Sequence, residues 1–321
     1  MTVKLPLFIK KVFPERYNYF SKYPKVNGAI VSQDSEIYPF ILSRRSIRSY
    51  DQRQLSSADQ AHIKIILNNT KSLFPENKFE IILKNKTKGE DLVEILGAYG
   101  RFITPPYYLV PFITGRNNAL VDLGYQVEQI AVRLWSKGIG TCFIGCLSRQ
   151  EKVRQLFQLS ADAQIAAFLV FGYPGVGFGI ETITKFTKSI IGIRGRKPVE
   201  DLFFQDTFEH STKPEGIWEK IIEAARFTPS AINAQPWRFL LRNDELYLFT
   251  LRNNRKYILP ENQDYCFHDS GLCMANIDLA LSSLGLHSEW KFLNGDLDIN
   301  SRYPENLYPL AKLIVKNDGE K

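Results

Sequence analysis

The strongest constraint on the fold is a repeat inside the chain. Residues 122–138, DLGYQVEQIAVRLWSKG, align without a gap on residues 269–285, DSGLCMANIDLALSSLG. Asp122, Gly124, Ile130, Leu134, Ser136 and Gly138 match Asp269, Gly271, Ile277, Leu281, Ser283 and Gly285. Upstream, IKIILNN followed by FEIILKN in the first half mirrors EKIIEAA followed by WRFLLRN in the second. Blocks repeated in the same order predict two copies of one α/β unit joined in tandem, a pseudo-dimer within one chain. Chance agreement between amphipathic patterns is the alternative, and the shared order weighs against it.

The pattern inside each copy predicts its elements. Residues 56–69 read as a helix that starts on a serine and carries Ile63, Ile66 and Leu67 on one face. Residues 79–83 and 166–171 read as strands, and 106–114 as a buried strand interrupted by Pro111. Residues 93–99 read as a helix ending at Gly100. The clearest helix covers 122–140, with Asp122 as its N-cap and Gly138 just past its end. In the second copy, 218–225 is helical and 237–241 extended, and the prolines between them stop the helix. The division expected is an arm at 1–40, a first half at 41–205, a polar linker at 206–216 and a second half at 217–321.

The copies differ where chemistry would reside. The first carries RRSIR at 44–48 and RGRK at 194–197; the second carries TPSAINAQPW at 228–237, where the first has only SLFPENK. Guanidinium groups match a phosphate bidentately, and Ser46 can add a hydrogen bond. Small residues with Ser230 and Asn233 let backbone approach a flat ligand. The losses are complementary, so one half is expected to grip a phosphate and the other a planar ring, across the seam between them.

Composition narrows the partners. A net charge of +7 suits an anionic ligand. The four cysteines form no C-x-x-C pair and the four histidines are scattered, so no metal centre is expected. GYPGVGFG misses the dinucleotide spacing, and no P-loop is present. Aromatic residues do not interleave with the basic clusters as a nucleic-acid groove requires. Neither a leader's apolar region nor a membrane-spanning run is evident, and the reading is a cytoplasmic protein without membrane insertion.

RRSIRSY, DLGYQVEQIAVRLWSKGIGTCFIG, FGYPG, RGRKPVEDLF and PSAINAQPW together resemble the FMN-dependent nitroreductases, within them the single-chain subgroup labelled "putative TM nitroreductase". The resemblance covers roughly residues 42–290. It implies an α+β nitroreductase-like fold of two fused half-repeats, each a mixed sheet flanked by helices, with one FMN per chain between them. It further implies an oxidoreductase that uses NAD(P)H as co-substrate to reduce nitroaromatics, quinones or similar electrophiles by ping-pong hydride transfer. Alternatives are a flavin-binding sensor or store without turnover, and a relative with another reaction, such as flavin destruction or azoline dehydrogenation. Carried over by position, Arg44, Arg45, Ser46, Arg194 and Arg196 hold the phosphate. Arg48 lies at the pyrimidine edge, where a cation tunes the ring. Pro229, Ser230, Ala231 and Asn233 line the ring and ribityl chain. Phe143, Ile144 and Gly145 present backbone groups near the flavin N5, although Ile144 replaces the family's usual acidic residue. Arg101 sits where a basic residue often approaches the ring. No side chain is expected to act as catalytic acid or base, because flavin carries the chemistry. The partner expected is a small-molecule electron acceptor; the pseudo-dimer is self-contained, with further oligomerisation open.

Overall fold

The computed structural model describes residues 36–86, 92–175, 195–252, 264–297 and 302–316. Most of the arm expected at 1–40 lies outside these residues. Its described end runs into helix α1 (Tyr38–Ser43), where Ile37 and Ile41 are buried.

The first half continues with α2 (Ser57–Asn68), β1 (Lys78–Asn85), α3 (Leu92–Leu96), β2 (Tyr107–Thr114), α4 (Ala119–Ser136), β3 (Gly140–Gly145), α5 (Gln150–Phe157) and β4 (Ala167–Gly172). The second comprises β5 (Phe203–Gln205), α6 (Ile217–Arg226), β6 (Trp237–Arg242), β7 (Glu245–Leu251), α7 (Tyr265–Ser283), β8 (His287–Phe292) and β9 (Leu307–Lys316). Ser56 caps α2 by accepting from the Asp59 amide, as its position before the apolar periodicity predicts.

The two sheets repeat one plan. The first is ordered β1-β2-β4-β3 and the second β5-β6-β7-β9-β8. Without β5, the order is the same for equivalent strands, and every pair is antiparallel. Parallel pairing enters at the margins. Ser46 bridges Thr141 on β3, and β5 pairs with β6. The segment that ends the first half by sequence is thus an edge strand of the second sheet.

Helices α4 and α7 form the centre, and almost every residue of each is buried. A helix buried on all sides belongs between layers rather than on a surface. The repeat's glycines explain how closely the two pack. A Cβ on Gly124 would lie 2.1 Å from the His268 carbonyl oxygen, and one on Gly271 would lie 1.9 Å from that of Val121. Each glycine meets the carbonyl three residues before its counterpart, as a two-fold axis through the crossing requires. The cores interlock as well: Val121 and Tyr125 of α4 join the second half's core, and Tyr265 of α7 joins the first half's.

Two expectations need correction. Asp122 does not cap α4. The helix begins at Ala119 after Asn118, which adopts a left-handed conformation. Asp122 is fully buried one turn inside and accepts from the Leu73 amide at 2.9 Å and from Ser72 and Asn77. Gly138, with φ +78°, does follow the end of α4 as expected. The helix expected at 93–99 stops at Leu96 and gives way to a 3-10 turn, Gly97–Arg101, because Gly97 takes φ +63°.

Candidate active site at the seam

Three segments meet beside the α4–α7 crossing. The first is RRSIR, held along β3 by the Ser46–Thr141 bridge and by the Ile47 amide donating to the Thr141 carbonyl at 2.8 Å. Because β3 is an edge strand, its outer backbone beyond Thr141 carries no other strand among the described residues. Alternation along β3 buries the Ile144 side chain and leaves Phe143 half-buried and Gly145 exposed.

The second segment is the start of α7. The Phe143 ring meets that of His268 edge-on, with centroids 6.3 Å apart. Tyr265 reaches across the seam, where its hydroxyl accepts from the Leu147 amide at 3.0 Å. A Cβ on Gly145 would lie 2.5 Å from that hydroxyl, so the close approach of Tyr265 at this position depends on glycine. Burial pushes the Tyr265 phenol up, which keeps it neutral.

The third is the loop 227–235 between α6 and β6. Its backbone is unusual: Ile232, Asn233 and Gln235 have φ of +44°, +59° and +49°. A β-branched residue in this region is strained and persists only where its surroundings impose it. The surroundings are explicit. Asp269 accepts from the Ala231 amide at 3.0 Å, Ser230 Oγ from the Gln235 amide at 3.0 Å, and Asn276 donates to Thr228 Oγ1 at 2.9 Å. Burial raises Asp269, and bonds from His268 and the Ala231 amide oppose that rise. The tail of the first half adds Arg196, whose Nη1 donates to the Thr228 carbonyl and to Asn233 Oδ1 at 3.3 Å, and whose Nη2 donates to the Phe227 carbonyl at 2.7 Å. The Lys197 amide donates to Gln235 Oε1 at 2.9 Å.

Behind these segments lies a charged knot. Arg44 is buried, and its Nε stands 3.5 Å from Glu128 Oε1 on α4. The pair is not aligned as a hydrogen bond: among the described residues, Arg44 Nε and Nη1 and both Glu128 oxygens have no partner within hydrogen-bond geometry, and Asn276 stands near Glu128. Burial raises Glu128 to about 7, against the opposing pull of Arg44, Arg196 and Asn276. Arg196 is lowered to about 10 by burial first and then by Arg44.

The residues expected from sequence thus fall into groups. Arg45 is exposed, Ser46 and Arg48 are half-buried, and Pro229, Ser230, Ala231 and Asn233 line the loop half-buried. Arg44 faces Glu128, and Arg196 faces the loop backbone. Arg101 is exposed at the end of its 3-10 turn. Arg194 lies outside the described residues. Sequence reasoning missed Glu128, Tyr265, His268, Asp269 and Asn276. For Asp269 a signal existed, since it matches Asp122 in the repeat, and each of the two aspartates accepts the amide of the residue after a loop serine. Glu128, a charge on a helix buried on all sides, was a second. Among the described residues no cluster of side chains could hold a metal ion, and no helix is long and apolar enough to cross a membrane.

The arrangement fits a flat anionic ligand: among the described residues it offers a strand edge with no further strand on it, an exposed glycine, a left-handed loop, and a buried arginine with two nitrogens lacking a hydrogen-bond partner. Comparison with known proteins agrees in fold. The family model described as "Putative TM nitroreductase" matches residues 36–258. No curated protein matches the chain at a significant level. A crystal structure described as a "putative nitroreductase" from Thermotoga maritima aligns over 91% of this chain and 99% of its own, at 19% identity and a TM-score of 0.52. An FMN-dependent nitroreductase from Clostridium difficile aligns over 43% of this chain and 88% of its own, at 16% identity and a TM-score of 0.37. NfrA1 nitroreductase from B. subtilis aligns over 44% of this chain and 67% of its own, at 15% identity and a TM-score of 0.37. The family match spans well over half of the sequence, and the chain belongs to the "Putative TM nitroreductase" family, an oxidoreductase-type chain with a nitroreductase-like α+β fold of two fused half-repeats.

Proposed function

We propose that the chain is an FMN-dependent oxidoreductase with one FMN per chain at this seam. It takes a hydride from NAD(P)H and delivers it to a nitroaromatic, a quinone or a similar small electrophile, in two half-reactions that use one site. The two halves, 41–205 and 217–321 joined by 206–216, act as one unit, with no nucleic acid or membrane partner and a cytoplasmic setting. The observation that carries the reading is that Arg44 of RRSIR, against Glu128 on α4, and the left-handed loop, against Asp269 and Asn276 on α7, flank the same helix crossing, in a chain of this family.

FMN, when bound, would supply the hydride chemistry. The chain's own residues bind and tune. Arg45 and Ser46, with Arg44 behind them and Arg194, would hold the phosphate; charge-assisted hydrogen bonds suit that group. Pro229, Ser230, Ala231 and Asn233 would line the ring and ribityl chain. Phe143 and Gly145, with the Ile144 backbone, would offer the strand edge to the ring. Arg48 would place a cation at the pyrimidine side, where it favours added negative charge. Arg101 would stand at the outer approach. No dinucleotide fingerprint is present to hold nicotinamide elsewhere, so donor and acceptor would alternate at one face.

The test is steady-state kinetics with FMN-loaded protein, varying NADH or NADPH at several fixed quinone or nitroarene concentrations. Parallel double-reciprocal lines are expected. Intersecting lines would contradict a shared face. FMN-loaded protein that neither nicotinamide cofactor reduces under anaerobic conditions would contradict the enzyme assignment.

A further inference from the structure

Arg196 carries the expectation of a phosphate contact, but both terminal nitrogens of its guanidinium are engaged elsewhere. They donate to the Phe227 and Thr228 carbonyls and to Asn233 Oδ1, all in the loop of the opposite half. Neighbouring residues of the same tail reinforce this grip. Asn233 Nδ2 donates to the Gly195 carbonyl at 3.4 Å, and Arg226 Nε donates to the Lys197 carbonyl at 3.1 Å. The planar fork suits this task, because it delivers several fixed N–H directions at once. The loop has need of it, since Ile232 and Asn233 hold left-handed backbone that an unsupported chain would leave.

We infer that Arg196 is a positioning residue: it fixes the left-handed loop 227–235 from the other half of the chain and so shapes the ring side of the site, without meeting the ligand's phosphate. Glu128 complements it electrostatically from α4 and stands between it and the like charge of Arg44, so the knot joins the tail, α1, α4 and the loop. This inference rests on the flavin reading for its binding test and on hydrogen bonding alone for its second test.

The experiment measures dissociation constants of FMN and of riboflavin, which lacks the phosphate, by fluorescence quenching. The proteins are wild type, Arg196→Ala, Arg196→Lys and Arg45→Ala. Arg196→Ala is expected to weaken FMN and riboflavin by the same factor, about tenfold or more, as for loss of a charge-assisted hydrogen bond. Arg196→Lys keeps the charge without the fork and should recover little of it. Arg45→Ala should weaken FMN and leave riboflavin unchanged. Backbone amide exchange of the flavin-free protein forms the second arm: residues 230–235 should exchange faster in Arg196→Ala than in wild type. Loss of FMN affinity alone, with riboflavin binding and loop exchange unchanged, would overturn the inference and make Arg196 a phosphate ligand. If wild type binds neither flavin, the flavin reading fails, and the exchange arm still decides the role of Arg196.

Discussion

The two loops that follow equivalent helices, 69–77 after α2 and 227–235 after α6, start from the same scaffold and end differently. Each carries a serine whose following amide is taken by the repeat's aspartate: Leu73 by Asp122 and Ala231 by Asp269. Each has a threonine bonded to the central helix of its own half, Thr70 to Gln126 and Thr228 to Asn276. From there they diverge. The first loop is tied down by its own half, with the Lys71 backbone exchanging hydrogen bonds with Gln129 and the Asn69 carbonyl accepting from Arg133. The second is held by the tail of the other half through Arg196.

The strands facing these loops complete the contrast. Counting on from the aligned helices, Gly145 of β3 falls opposite Phe292 of β8. Gly145 is exposed and admits the Tyr265 hydroxyl to where a Cβ would stand, whereas Phe292 packs its ring on Phe74 with centroids 4.6 Å apart. One seam is open at this strand position and gathers Arg44, Arg45, Arg48 and Arg196 nearby, and its mate is filled there by aromatic rings. A symmetric ancestor of this arrangement would have two equivalent seams; in this chain the equivalence survives in the backbone and is lost in the side chains.

The contrast can be broken most sharply by copying the filled seam into the open one. Gly145→Phe should abolish flavin binding, as read by FMN fluorescence, and should also lower the thermal melting point, because its Cβ must displace the Tyr265 hydroxyl. Retained binding would mean that the strand edge at β3 is not part of the site.

A smaller effect separates the central helices. Glu128 of α4 stands where α7 has Ala275, so this buried carboxylate has no counterpart at the matching position of the other seam. Burial raises its value in the folded protein from the ordinary 4.5 to about 7. Between these values the folded chain holds a proton that the unfolded chain has released. This group's contribution to stability is therefore fully present below about pH 4.5 and is lost as pH rises through about 7. Glu128→Gln removes that slope. Urea unfolding from pH 5 to 8 should show the variant gaining on wild type by up to roughly 3 kcal/mol. Parallel stability curves would mean that Glu128 titrates normally.

The smallest effect concerns strain. Ile232 pays for its left-handed backbone, and asparagine tolerates that region better. Ile232→Asn should raise the stability of the ligand-free protein by about 1 kcal/mol, measured by the same unfolding. The equivalent change at Phe74 should only lose stability, through the ring contact with Phe292. A loss at position 232 as well would show that the Ile232 side chain contributes more by packing than its backbone loses.

These differences were unequally legible from sequence. Periodicity located α2, α4, α6, β1, β2, β4 and β6, and the repeat foretold two copies of one unit, whose matched Gly124 and Gly271 turn out to be where α4 and α7 cross. RRSIR and PSAINAQPW marked the open seam because local composition betrays arginines and turn-forming residues. Asp122 misled, since an aspartate before an apolar run looks like an N-cap, while its actual partners, Ser72, Leu73 and Asn77, come from a loop distant in sequence. The Glu128 knot was hidden for the same reason: its partners, Arg44 and Arg196, lie far away on either side of it. The pairing of Gly145 with Phe292 was invisible to residue matching because the two strands keep the register of the repeat but share none of its residues.

The central claim is that one seam is open and the other closed, and the number of flavins tests it most directly. Titration of flavin-free protein with FMN, followed by fluorescence quenching and checked by absorbance after gel filtration, should saturate at one FMN per chain. Two equivalent tight sites per chain would contradict the account, because the seam filled by Phe74 and Phe292 would then have to bind as well as the seam that holds RRSIR.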